Sequence, residues 1–164
     1  DFIASTYKGV LTLDILFVCS GNTCRSAMAE GMLRAMLKER GMEGFRVRSA
    51  GIAAFSGEKA SPQAVRVMGE LGIDLSGHRA RRLDTGMLKE ADQILAMTGG
   101  NKIAVQSWEP SVWEKLHTLK EYAGMDGGDI QDPYGRSEDI YRRTRDEIRH
   151  ALEKLMAKWG PASG

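Results

Sequence analysis

The sequence has few cysteines, no long apolar run and almost no net charge. Two cysteines, Cys19 and Cys24, do not make the disulfide framework of a small secreted protein, which favours a reducing cytoplasm. No apolar run approaches the ~20 residues of a membrane-spanning helix. The formal net charge is +1, from 23 basic and 22 acidic residues, so nothing indicates binding to nucleic acid or to a membrane.

The N-terminus lacks the basic start and apolar centre of a signal peptide. We predict that residues 1–12 form an extension, native or added, and that residues 13–160 form a single domain. The chain has 164 residues, of which 42% are apolar and 27% charged, a composition typical of one globular domain with its own core. A monomer is sufficient for a core of this size.

Short apolar runs alternate with helical patterns along the chain. The runs predicted to be strands are 15–18, 45–49, 93–97 and 116–119. Helices are predicted at 25–40, from Ser61 onward, at 85–91, at 101–113 with a break near Pro110, and at 137–159. This order predicts an α/β fold, a three-layer sandwich with a four-stranded parallel sheet flanked by helices. In such a fold, ligands bind at the carboxyl ends of the strands.

The loop between the first predicted strand and the first predicted helix has the composition of a phosphate site. Gly21 can adopt a positive φ, and Asn22 tolerates one. A loop bent in this way points successive backbone N–H groups toward an anion, and the following helix adds the positive end of its dipole. The Arg25 guanidinium suits two phosphate oxygens. The predicted phosphate-binding residues are Ser20, Gly21, Asn22, Thr23, Cys24, Arg25 and Ser26.

Cys19 lies at the floor of this predicted cradle, where the field that attracts phosphate also favours a thiolate. Ser26 is near enough in sequence to donate a hydrogen bond to the sulfur. A thiolate beneath a bound phosphoryl group is placed for in-line attack, which gives a phosphocysteine. A single cysteine after an apolar strand is more often a buried apolar residue. The order strand, cysteine, five residues, Arg-Ser and helix is specific enough to favour catalysis.

This signature at 19–26, with Asp132-Pro133-Tyr134 far downstream, resembles the low-molecular-weight protein tyrosine phosphatase family. The runs "RSAG" at 48–51 and "GIDLSGHRA" at 72–80 extend the likeness, which covers roughly 13–159. One departure is Ala27, where the family usually has proline, and alanine is a fair substitute in a first helical turn. The resemblance implies the Rossmann-like phosphatase I fold, phosphorylated protein substrates, phosphate as product and no cofactor.

The resemblance also implies roles outside the loop. Asp132 would act as acid and then as base, which the chemistry requires independently, because the leaving group must gain a proton and water must lose one. Ser49 and His78 would hold Asn22 in place, and Tyr134 would form a wall of the pocket. The alternatives are a plain Asp-Pro turn, a surface histidine and a packing tyrosine.

Two further polar clusters give no predicted site. The aspartates at 126, 129 and 132 are spaced by three, which does not fit the alternating ligands of a calcium loop, so no metal is predicted. The basic run "HRARR" at 78–82 is predicted to contribute a solvated helix face.

Thr23 bears on the substrate. Members of the family that act on phosphotyrosine tend to have isoleucine at this position, and those that resemble bacterial protein arginine phosphatases have threonine. A hydroxyl suits a flat, polar guanidinium, and the Asp132 carboxylate could pair with it through two hydrogen bonds. The expected activity is therefore hydrolysis of phosphoarginine in proteins, with phosphotyrosine as the alternative. Thr23 could also merely fill space.

The two cysteines leave two further questions. A thioredoxin-coupled arsenate reductase would need a third thiol around 79–85, and none is present. Cys24 could form a disulfide with an oxidised Cys19 and so protect the nucleophile. Alternatively, Cys24 packs beneath the loop.

Overall fold

A parallel sheet of four strands forms the centre of the structure, a computed structural model that describes residues 5–7 and 10–159. Strand β1 (Ser5–Tyr7) pairs antiparallel with the start of β2 (Val10–Cys19). Strands β3 (Phe45–Gly51) and β4 (Gln93–Ala96) flank β2, and β5 (Leu116–Thr118) pairs with β4. The parallel order is β3-β2-β4-β5, so the predicted α/β sandwich is confirmed.

Six α-helices and one 3₁₀ helix lie within the described residues, and most begin at a polar cap. Ser61 and Ser137 accept hydrogen bonds from the backbone of the helices that follow them. The first helix is followed by Gly41 at φ +64°, a favourable end for a helix. The helices are α1 (Arg25–Glu39), α2 (Pro62–Gly69), α3 (Thr85–Glu90), α4 (Gly99–Trp108), the 3₁₀ helix Pro110–Lys115, α5 (Leu119–Tyr122) and α6 (Glu138–Lys158).

The alternation of side chains along β2 determines which helix layer each residue meets. Ile15, Phe17 and Cys19 belong to the core formed with α1, α2 and α6. Leu16 and Val18 face the opposite core, which includes residues of α3, α4 and the 3₁₀ helix. Cys19, the last residue of β2, therefore lies on the same side of the sheet as α1.

Some elements differ from the sequence-based prediction. Strand β2 begins at Val10 and not at residue 15, and β1 lies within residues 1–12, which the sequence predicts to be an extension outside the domain. The remaining residues of that segment, 1–4 and 8–9, lie outside the described residues. The basic run 78–82 is not helical, because its backbone forms bridges with two other segments, Lys59 to Arg79 and Gly51 to Arg82. Tertiary pairing has overridden the local preference.

No helix within residues 5–7 and 10–159 has the length and apolarity needed to cross a membrane.

Candidate active site

A cavity of about 290 Å³ opens at the carboxyl end of β2, where the fold class predicts a ligand site. Its floor and inner wall are the loop of residues 19–25, which joins β2 to α1. Its outer wall comes from two other segments, which contribute Ala53, Phe55, Glu58, Asp132 and Tyr134. The structure thus brings residues that are more than 100 positions apart around the predicted phosphate loop.

The Cys19 sulfur at the floor of the cavity accepts hydrogen bonds from the loop around it. The backbone N–H of Asn22 donates to Sγ at 3.2 Å, and Ser26 Oγ lies 2.8 Å from Sγ. The side-chain amide of Asn22 already donates to Ser26 Oγ at 2.8 Å, so the serine hydrogen is left to point at the sulfur. Two donors directed at a sulfur stabilise its anionic form.

Asn22 is the residue on which the shape of the loop depends. It adopts φ +57°, the left-handed region that asparagine enters more easily than most residues, and it is fully buried. Its amide donates to Ser26 Oγ and to Ser49 Oγ, and its Oδ1 accepts from the backbone N–H of Arg81 at 2.9 Å. Its carbonyl oxygen lies 2.7 Å from His78 Nε2. The predicted contacts of Ser49 and His78 with Asn22 are therefore both present.

Glu30 extends this network, a contact that the sequence analysis missed. Ser49 Oγ donates to Glu30 Oε1 at 3.1 Å, and Glu30 pairs with Arg34 one helical turn later. Because the Ser49 hydroxyl donates its hydrogen to Glu30, its lone pairs are left to accept from Asn22. Glu30 and Arg34 lie on α1, and their spacing of four residues in the sequence indicates this ion pair.

Arg25 begins α1 with its guanidinium inside the protein, and its side chain is 5% exposed. One terminal nitrogen donates to the carbonyl oxygen of Ile130 at 3.0 Å, and the other lies 3.6 Å from Asp132 Oδ2. Its Nε is buried and has no hydrogen-bond partner among the described residues. A buried donor is costly to leave unpaired, so this nitrogen is suited to an oxyanion in the cavity.

Asp132 lies on the opposite wall with an exposed side chain, and the next residue, Pro133, is buried. Its Oδ1 accepts a hydrogen bond from the backbone N–H of Tyr134 at 3.1 Å, which orients the carboxylate. Tyr134 is 68% exposed and lines the cavity, which agrees with the predicted wall and not with a packed tyrosine.

Thr23 and Cys24 are both buried in the loop. Thr23 is only 7% exposed and lines the inner wall of the cavity, whereas Phe55 and Tyr134 on the outer wall are exposed. Cys24 Sγ lies 3.2 Å from the hydroxyl of Tyr141 and 3.5 Å from that of Ser61. Both cysteines are free thiols, and these contacts match the packing alternative for Cys24.

Tyr141 is another contact that the sequence did not reveal. It is fully buried on α6, and burial raises the pKa of its phenol, so the hydroxyl stays protonated beside Cys24. Tyr141 lies four residues after Ser137, which caps the helix. The sequence pattern could indicate that this aromatic side chain faces inward, but not that it contacts Cys24.

The first turn of α4 contacts both loops of the cavity. Asn101 is 7% exposed, and its amide donates to Ser20 Oγ in the phosphate loop at 3.3 Å. Asp129, which precedes Asp132 by three residues, accepts a hydrogen bond from the N–H of Gly99 at 2.8 Å. The first turn of α4 therefore fixes the Asp132 loop and the phosphate loop relative to each other.

Replacing Asp129 with alanine should lower activity although Asp129 does not line the cavity. The loss of a helix-terminal hydrogen bond costs about 1 kcal/mol, which corresponds to roughly a fivefold loss of rate if Asp132 loses its position. The melting temperature should fall by about 2–4 °C. Steady-state kinetics and calorimetry measure both effects. Asp129→Asn keeps the acceptor oxygen and should retain activity, and equal losses in both variants would contradict the positioning role.

The three aspartates of the 126–132 loop do not converge. Asp129 faces the α4 terminus and Asp132 faces the backbone of Tyr134. Within residues 5–7 and 10–159, no group of three or more His, Cys, Asp or Glu side chains could hold a metal ion.

Three residues of the outer wall were also missed by the sequence analysis, Ala53, Phe55 and Glu58. They lie in the turn after β3, and no local pattern connects that turn with the phosphate loop. The link is made by tertiary contacts, such as the hydrogen bond from the backbone N–H of Ser61 to the carbonyl oxygen of Thr23 at 3.0 Å.

Known proteins share this sequence and geometry. The sequence profile described as low molecular weight phosphotyrosine protein phosphatase matches residues 14–161. The chain is 42% identical to the protein-arginine-phosphatase of Bacillus subtilis (strain 168) over 143 residues, which are 87% of this chain and 94% of that protein.

Two solved structures superpose closely on this chain. A low molecular weight protein tyrosine phosphatase from T. tengcongensis has a TM-score of 0.85 at 42% identity and covers 90% of this chain and 99% of its own. A YwlE arginine phosphatase mutant with a phosphorylated active-site serine has a TM-score of 0.85 at 40% identity, over 89% and 95% of the two chains. This chain therefore belongs to the low molecular weight phosphotyrosine protein phosphatase family.

Proposed function

We propose that this protein is a cysteine-dependent protein phosphatase that hydrolyses phosphoarginine in protein substrates through a phosphocysteine intermediate. One observation carries the proposal. The Cys19 sulfur, held by two hydrogen-bond donors, lies at the floor of a cavity that Arg25 also lines, and the buried Nε of Arg25 has no hydrogen-bond partner among the described residues. A nucleophile and an oxyanion donor in the same small cavity are the requirements for phosphoryl transfer.

In the first step, the Cys19 thiolate attacks phosphorus and the bond to the substrate nitrogen breaks. The electron pair of that bond stays with the guanidine nitrogen, which takes a proton from the Asp132 carboxyl group. Arg25 and the backbone of the loop bind the equatorial oxygens, where negative charge spreads in the transition state. The product is a phosphocysteine and a free arginine side chain.

In the second step, water attacks the phosphocysteine. Asp132, now a carboxylate, accepts a proton from that water, and the sulfur leaves as a thiolate. The thiolate is a good leaving group here because Ser26 and the Asn22 N–H again donate to it. Phosphate is released, and Asp132 is protonated for the next cycle.

Two features support phosphoarginine over phosphotyrosine. Thr23 places a polar side chain on the inner wall, where an isoleucine would present a branched apolar surface to a phenyl ring. Asp132 lies on the opposite wall, where its carboxyl oxygens can accept hydrogen bonds from the N–H groups of a guanidinium. The phosphotyrosine alternative is supported by the family as a whole, and the exposed ring of Tyr134 could pack on a phenyl group.

Kinetics on two substrates test this proposal. Wild-type protein should have the higher kcat/KM on a phosphoarginine peptide than on a phosphotyrosine peptide of the same flanking sequence. Thr23→Ile should shift the ratio toward phosphotyrosine by about tenfold or more, in line with the ~1–3 kcal/mol that pocket selectivity usually provides.

Thr23→Ser, which keeps the hydroxyl, is the matched control and should retain the wild-type preference. A wild-type preference for phosphotyrosine would overturn the assignment to phosphoarginine, and an unchanged ratio in Thr23→Ile would remove Thr23 from the explanation.

The arsenate reductase alternative is disfavoured by chemistry. Reduction of arsenate through a disulfide relay needs a third thiol, and the sequence has only Cys19 and Cys24. Because the mechanism requires Cys19 as a free thiol, a reducing compartment such as the cytoplasm suits it. A monomeric enzyme that binds neither nucleic acid nor membrane remains our prediction, as does a protective Cys19–Cys24 disulfide under oxidation.

A further inference from the structure

The outer wall of the cavity contains an acidic residue that the mechanism above does not use. Glu58 lines the same cavity as Cys19, Arg25 and Asp132, and its side chain is exposed. Among the described residues it forms no ion pair. A second carboxylate beside a phosphate site repels a phosphate dianion, so this position of Glu58 opposes the binding of a simple phosphate ester.

The backbone of Glu58 is held in place by hydrogen bonds on both sides. Its carbonyl oxygen accepts from the N–H of Ala80 at 2.7 Å, and the N–H of the preceding Gly57 donates to the carbonyl oxygen of Ala80 at 2.9 Å. Gly57 adopts φ +92°, a conformation that L side chains rarely adopt, so the turn depends on glycine here. Glu58 is therefore fixed at the rim by pairing with the 78–82 segment.

A substrate that carries a cation next to its phosphoryl group is attracted by the Glu58 carboxylate instead of repelled. The guanidinium of phosphoarginine is such a cation, since it is planar and positively charged and keeps N–H donors after one nitrogen is phosphorylated. Carboxylates are its preferred partners, and aromatic faces also bind it. The rim supplies both, because the exposed rings of Phe55 and Tyr134 line the cavity with Glu58.

We propose that Glu58 is a specificity-determining residue, which pairs with the guanidinium of phosphoarginine at the outer wall of the cavity and disfavours phosphate esters without a cation. This inference rests on the proposed function and extends it. Asp132 donates a proton to the reacting nitrogen during catalysis, and Glu58 pairs with the positive charge of the guanidinium during binding.

The test compares wild type, Glu58→Gln and Glu114→Gln on matched phosphoarginine and phosphotyrosine peptides. Glu58→Gln should lower kcat/KM on phosphoarginine by about fivefold, mainly through KM, and raise it on phosphotyrosine by about twofold because a like charge is gone. The substrate ratio should therefore fall by about tenfold. Raising the ionic strength should reduce this difference, since both effects are electrostatic.

Glu114→Gln is the matched control, because Glu114 is exposed on the 3₁₀ helix, does not line the cavity, and loses the same charge. Glu114→Gln should leave kcat/KM on both peptides unchanged. If wild type prefers phosphoarginine and Glu58→Gln leaves the substrate ratio unmoved, this inference is overturned and the proposed function stands. If wild type prefers phosphotyrosine, the proposed function is overturned and the inference with it.

Discussion

Cys19→Ser should lower kcat by about four orders of magnitude or more, the scale on which loss of a nucleophile reduces covalent catalysis. A serine hydroxyl in the same position is protonated at neutral pH and is a poorer leaving group than a thiolate, so both chemical steps slow. Phosphate binding should survive, because Arg25 and the loop backbone are unchanged. Hydrolysis of p-nitrophenyl phosphate measures the rate, and titration calorimetry with inorganic phosphate measures the binding.

Cys24→Ser is the control for this experiment, since it changes the other thiol of the same loop. The Cys24 sulfur contacts the hydroxyls of Thr23, Ser61 and Tyr141, and no backbone N–H of the described residues donates to it as the Asn22 N–H does to Cys19. We expect at most about a tenfold loss, equivalent to ~1.4 kcal/mol of disturbed packing. Comparable losses in the two variants, or activity retained in Cys19→Ser, would exclude Cys19 as the nucleophile.

The second large effect is expected for Asp132→Asn, which keeps the shape of the side chain but cannot supply a proton. General acid–base catalysis contributes about 10²–10⁴-fold, so phenyl phosphate, whose leaving group needs protonation, should lose activity on this scale. With p-nitrophenyl phosphate the leaving group departs more easily, and the first step should persist. The phosphocysteine then accumulates because no base activates water.

Rapid-mixing kinetics can detect this accumulation as a burst of nitrophenolate equal to the enzyme concentration, and mass spectrometry can identify phosphate on Cys19. Asp126→Asn changes an exposed carboxylate of the same loop that does not line the cavity, and it should behave as wild type. Equal losses on both leaving groups with no burst would show that Asp132 acts in some way other than proton transfer.

The sequence predicted those parts of the site that depend on adjacent residues. The loop 19–26 is continuous, and its glycine, asparagine and arginine determine its bend and its charge locally. The parallel sheet also follows from local patterns, because each strand is a short apolar run between helical segments. These features need no knowledge of distant contacts.

The residues that were missed depend on tertiary contacts. Glu58 reaches the cavity only because its turn pairs with Ala80, and the helix predicted at 78–82 was wrong for the same reason. Asn101 meets Ser20 across 81 residues of sequence. No pattern in a single sequence connects such positions, since the periodicity of a helix or strand relates only near neighbours.

Asn22 has a consequence for the order in which the protein becomes functional. Its hydrogen-bond partners Ser49, His78 and Arg81 are 27, 56 and 59 residues away along the chain. Each of these loops must close, at an entropic cost, before the left-handed turn at Asn22 is held. Catalytic activity should therefore appear late in folding. A partly folded chain, even one with its sheet formed, should not yet dephosphorylate substrates.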